Sequence, residues 1–174
     1  MKKFLANITL VVAALLAVSA NFNTAKAETN TDLTTEQINS IKKNCAIIKD
    51  NLKSIQYEDS RVRVHLGRYY DIIQSNFITP LNVALVGNNI SNINLIENQT
   101  NFVTARSKFA SDYIAYQKGL EELVSLDCAA EPTRFHNKLT SVREKRAKVN
   151  SDTTKIQDLT NKQIDLVTKL KESL

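Results

Sequence analysis

Few side chains in this sequence have chemical reach. Histidine occurs twice, at His65 and His136, and cysteine twice, at Cys45 and Cys128. None of these sits at a metal-ligand spacing, and no glycine-rich phosphate loop accompanies them. In an exported chain an even cysteine count suggests a disulfide. With two cysteines the sole intramolecular pairing is Cys45–Cys128; two unpaired thiols are the alternative. A bonded pair cannot serve as a nucleophile. The expectation is therefore no catalytic residue, no metal, no cofactor and no enzyme.

Charge and aromatics are densest in RVRVHLGRYY, residues 61–70. On a helix, Arg61, His65 and Arg68 share one face, and Val62, Leu66 and Tyr69/Tyr70 share another. A basic stripe beside an apolar seam makes a candidate interaction face for an anionic partner. The plainer alternative is a solvated face with Arg61 paired to Asp112. A second basic cluster, Arg143, Lys145, Arg146 and Lys148, reads as mostly solvated.

The elements that would carry these residues follow from the apolar rhythm. From residue 38 onward, apolar side chains recur at alternating three- and four-residue steps: Ile38, Ile41, Cys45, Ile48, Leu52, Ile55, then Val62, Leu66, Tyr69 and Ile73. A second series runs through Leu95, Phe102, Phe109, Tyr113, Tyr116, Leu120 and Leu123. A third runs through Phe135, Leu139, Val142 and Val149 and on to Leu170. That period belongs to helices with a coiled-coil seam, and strand alternation is not sustained anywhere. Gly87-Asn88-Asn89 marks a turn, and Asp127 to Pro132 a second break, with Pro132 suited to the first turn of a helix. Pro80 lies inside the first series and should kink it or split off residues 81–87.

Folding the first two series back on each other sets Cys45 level with Cys128 only if the turn lies near residue 86 or 87, where Gly87 stands. Turn and cysteine spacing agree. The fold expected is all-α: an elongated antiparallel three-helix bundle, up-down-up, with coiled-coil-like packing and one disulfide. Each helix would span about 42 residues, roughly 60 Å.

Matching heights along these rods predicts polar layers inside the seams. Asp59, Tyr113 and Arg146 should form one. Arg106 should meet Asp152 in another, with Gly67 leaving room for the arginine. Buried ion pairs of this kind fix register more than they stabilise. A ligand-binding or proton-handling cluster is the functional alternative.

Residues 1–27 have the three parts of a secretory signal: Lys2 and Lys3, an apolar run from Ile8 to Ala20, and Ala25-Lys26-Ala27 before a cut. The apolar run is short of the ~20 residues a spanning helix needs. Cleavage after Ala20 and retention as an anchor are the alternatives. Residues 28–174 then form one domain in a secreted or cell-envelope location, with no stable membrane insertion after cleavage. The chain has 23 Lys+Arg and 18 Asp+Glu, but Lys2, Lys3 and Lys26 lie in the signal, leaving 20 against 18. A near-neutral mature domain gives no case for nucleic acid. Its partner is expected to be another protein.

LTTEQ, residues 33–37, and LTNKQ, residues 159–163, both fit LTxxQ. The pattern resembles the signature of small periplasmic all-helical chaperones, which carry it twice. That resemblance implies an ATP-independent holdase binding unfolded clients on a helical surface. A longer likeness covers NCAIIK, DSRVRVHLGRYYDIIQSNFITPLN, FASDYIAYQKGLEELVSLDC, Pro132 and Phe135. These segments resemble a group of uncharacterised secreted all-helical proteins of candidate-phyla bacteria with reduced genomes. The group implies export and a helical fold, and brings no assigned activity. The function expected is an exported structural or protein-interaction module, with the chaperone reading as the alternative.

Overall fold

The computed structural model describes residues 33–90 and 92–173. The signal expected over residues 1–27, with its cleavage sites, lies outside the described residues. Residues 34–174 make one compact unit. Among the described residues there is no strand, and no helix is long and apolar enough to cross a membrane.

Helix α1 (Thr35–Lys43) is followed by α2 (Cys45–Ile73). Thr34 caps α1: its hydroxyl accepts from the Gln37 amide at 3.2 Å, and the Gln37 side chain accepts from the Thr34 amide at 2.9 Å. This reciprocal capping box satisfies two donors that the first turn leaves open. At Asn44 the backbone departs from helical geometry, and its side chain donates to the Ser40 carbonyl at 2.9 Å. Asn side chains compete well for such carbonyls, which breaks an otherwise uninterrupted rhythm.

The response to Pro80 is a π-helical stretch, Gln74–Ile78, ahead of helix α3 (Thr79–Gly87). Proline supplies no N–H, and its ring crowds the preceding turn. A wider π turn accommodates this by absorbing one extra residue. The consequence is a one-residue shift of the buried face. One heptad on from the buried Tyr70 stands Phe77, yet Phe77 is 65% exposed and Ile78, one residue later, is 1% exposed.

α3 ends in a Schellman turn. The Ile90 amide donates to Leu85 O at 2.9 Å and the Asn89 amide to Val86 O at 3.1 Å. Asn89 takes the left-handed conformation, φ 59°, that this motif requires. The expected turn is present, with asparagine rather than Gly87 in the special position.

Helix α4 (Ile93–Ser125) follows, capped by the Asn92 side chain on the Leu95 amide. Asp127 Oδ1 then accepts from the amides of Ala129 and Ala130 at 2.9 and 3.0 Å, and Pro132 opens helix α5 (Pro132–Ser173). The core lies chiefly between α4 and α5. Leu95, Phe102, Phe109, Tyr113, Tyr116, Leu120 and Leu123 are buried on α4. Phe135, Val142, Val149, Ile156 and Gln163 are buried on α5, one every heptad. Only Leu52 and Tyr70 are fully buried on α2.

Paired side chains give the register. Asn98 meets Gln163, Lys108 meets Asp152 and Glu122 meets Lys138. α4 and α5 approach closely at Gly119: a Cβ there would stand in tight contact, 3.3 Å from Val142 and 3.2 Å from Lys145 Nζ. Cys45 and Cys128 form a disulfide with their Cα atoms 5.5 Å apart.

Candidate functional site

The exposed basic face and the polar layer beneath it occupy the same stretch of α2. The layer centres on Asp59, whose carboxylate accepts from Arg146 on α5 at 2.9 Å and from the Tyr116 hydroxyl on α4 at 2.6 Å. Burial, and then the bond to Asp59, raise the Tyr116 hydroxyl well above the usual phenol range.

Asp59 and Arg146 are thus together, but the expected tyrosine is corrected. Tyr113 makes no hydrogen bond to Asp59; Tyr116, one turn on, does. Height-matching pointed to residue 114, and two seam tyrosines straddle that level. Which one reaches a carboxylate depends on how each ring leans, and a Cα register does not carry that information. Tyr113 instead stacks between Phe109 and Tyr116, at 6.3 and 6.0 Å, beneath the Arg63 guanidinium at 5.3 Å. Burial and the nearby Asp59 raise its hydroxyl.

The second expected layer is also corrected. Arg106 pairs with Asp71 and donates to Gln74 Oε1 at 2.8 Å, both on the α2 side. Asp152 takes Lys108 instead, at 2.8 Å, and Lys108 also reaches Asp112 at 2.5 Å. The two bonds raise the Lys108 ammonium, while Lys108 holds the Asp112 carboxyl below its ordinary range. Equal height alone left Arg106 a choice of two neighbouring helices, and its direction from α4 settles it toward α2. The space beside Gly67 is open to 4 Å and is not filled by Arg106.

Arg61, His65 and Arg68 are exposed together on the outer face of α2, where Tyr57 and Val64 are exposed beside them. Arg61 pairs locally with Glu58 at 3.7 Å and lies 5.7 Å from the Tyr57 ring centre; the expected partner, Asp112, is taken by Lys108. An exposed pair of this kind is worth little. No ion pair engages Arg68 or His65 among the described residues. A depression lined by Ser60, Arg61, Arg63, Val64, His65 and Gln117 continues the face toward α4.

Both cysteines are oxidised, and among the described residues no group of three His, Cys, Asp or Glu could hold a metal. The arrangement can bind: arginines, an imidazole and two apolar side chains on a rigid helix suit an acidic, partly apolar protein surface.

Both LTxxQ copies have local structural uses. The first is the capping box at Thr34 and Gln37. In the second, Leu159 and Gln163 bracket the buried Asn98, which donates to Leu159 O at 3.0 Å and to Gln163 Oε1 at 2.8 Å. Asn98 was not counted among the buried polar residues, although it stands midway between Leu95 and Phe102 and is fully buried. Compared with protein-family models, curated proteins and solved structures, the chain matches none of them.

Proposed function

We propose that this is an exported helical interaction module, secreted or held in the cell envelope, that binds another protein through the outer face of α2. In this reading α2 with α3, α4 and α5 form the up, down and up limbs of an antiparallel three-helix bundle, and the signal is removed. The observation that supports it best is the exposed sequence Tyr57, Arg61, Val64, Arg68 along one side of α2. Steps of four, three and four residues line up on one face of a helix, as a partner helix would need. Hot spots of interfaces favour tyrosine and arginine on a rigid support. The disulfide accords with an oxidising compartment.

The test is a photo-crosslinking residue placed at position 64 of the full chain expressed in its native host. A discrete adduct at 64, absent with the same probe at the exposed Glu144, is the expected result. The adduct should disappear in Arg61→Glu/Arg68→Glu. If position 64 gave no adduct, or fractionation left the chain in the cytoplasm, the proposal would fail.

A further inference from the structure

A different surface lies at the α3–α4 turn. From Ile72 to Ile96 the sequence carries no charged side chain, although 24% of the whole chain is charged. At that overall frequency about six charges belong in a stretch this long, so their absence marks a surface unlike the rest. Yet the stretch is not buried: Val83 is 66% exposed, Val86 63%, Ile93 61% and Ile96 42%.

Three hydrogen bonds set how α3 and α4 face each other. Asn82 Nδ2 donates to Gln99 Oε1 at 2.5 Å and to Leu95 O at 3.3 Å, and Gln99 Nε2 donates to Thr79 Oγ1 at 3.1 Å. Partner numbers fall on one helix as they rise on the other. Along both helices an exposed aliphatic directly follows a residue turned toward the interior: Val83 after Asn82, Val86 after Leu85, Ile96 after Leu95, Val103 after Phe102. Each is rotated one residue step, about 100°, in the same sense. Because the two helices run in opposite directions, that common rotation brings all four to one side. Asn98, which reaches α5 through Gln163 and Leu159, lies the other way around α4. The result is a ledge of valine and isoleucine opposite α5, edged by Thr79 and Thr100.

The geometry points to a second copy of this chain as the occupant, the two ledges packing face to face about a two-fold axis. Three observations favour it. The ledge carries no charge, so it offers nothing to recognise a charged partner and nothing to repel itself. A two-helix face completed by its own copy closes a four-helix arrangement, the commonest symmetry for a soluble oligomer being two-fold. The exposed aliphatic area is on the order of 400 Å² per copy, above what scattered surface residues present. With its uncharged rim, two copies would cover about 1,000 Å², the lower end of specific interfaces, which fits a reversible dimer.

Sedimentation of the exported, oxidised chain from about 1 to 300 µM tests this. The expected result is a monomer–dimer equilibrium within that range. Val83→Glu and Ile96→Glu should each weaken it at least tenfold, and the milder Val83→Ser severalfold, with unchanged circular dichroism. Val64→Glu, on the outer face of α2, should leave it unaltered, which separates this interface from the proposed partner face. A chain that stays monomeric to 300 µM overturns the inference, as does a dimer indifferent to Val83→Glu and Ile96→Glu. A monomer that suppresses aggregation of unfolded clients in a Val83-dependent way would assign the ledge to clients and overturn it too.

Discussion

Asp59 on α2 and Arg146 on α5 are 87 positions apart in sequence and 2.9 Å apart in space. With Tyr116 completing the layer, they tie three helices at one level. Asp59→Ala should cost about 2–3 kcal/mol, because it leaves the buried Tyr116 hydroxyl and the partly buried Arg146 guanidinium without an acceptor. Replacing all three by apolar residues (Asp59→Leu, Tyr116→Phe, Arg146→Met) should restore stability to within about 1 kcal/mol of the native chain, since nothing polar is then left unpaired. Urea unfolding of the set checks this. A triple variant as unstable as Asp59→Ala would show that the layer stabilises directly.

Reduction of Cys45–Cys128 should lower stability by about 4–5 kcal/mol, the chain-entropy contribution of a loop this long. Thermal melts with and without reductant, and of Cys45→Ala/Cys128→Ala, provide the measurement. The helices should persist in the reduced chain at low temperature, because Cys128 sits at one end of the core and the heptad packing of Phe135, Val142, Val149 and Ile156 continues beyond it without a covalent link. The loss should fall mainly on α1 and the start of α2, visible as faster amide exchange there.

The π stretch should behave as a one-residue insertion. Deleting Asn76 restores a regular helix and still buries Ile78, but returns Pro80 to a helix interior, at about 3 kcal/mol. The same deletion combined with Pro80→Ala should recover most of that. Deleting Ser107 in α4 should be far more damaging, because every buried residue beyond it changes face. Denaturant midpoints of the three variants decide the matter, and equal losses for Asn76 and Ser107 would contradict this account.

Stability should fall at alkaline pH. Burial pushes the Tyr70 hydroxyl up to about 12, with the nearby Thr153 hydroxyl opposing the shift and Tyr69 adding to it. Burial raises Tyr116 and Tyr113 in the same direction. A group whose folded pKa is raised contributes stability that is fully present below its unfolded value, near 10, and lost as pH rises through the folded value. Melting temperatures should therefore hold up to about pH 10 and decline toward pH 12. Tyr70→Phe should blunt the decline; an unchanged profile in that variant would rule out Tyr70 as a contributor.

The sequence alone determined the helical class, the turn at Gly87-Asn88-Asn89, the start of α5 at Pro132 and the pairing of Cys45 with Cys128. Each depends on local chemistry: apolar spacing, turn residues, a missing N–H, or the single pairing open to two thiols. It also placed Asp59 with Arg146, because rods of uniform rise let heights be counted. Only the tertiary structure decided which neighbour each long side chain reached. Tyr116 rather than Tyr113 meets Asp59, Asp71 rather than Asp152 meets Arg106, and Lys108 rather than Arg61 meets Asp112. Counting residues gives a level along the axis, but a side chain at that level can lean to either neighbour, and a difference of one turn is within its reach. The shift that exposes Phe77 and buries Ile78 was likewise hidden. Proline announces a disturbance in the helix, while the extra residue that absorbs it is chosen by what packs on either side.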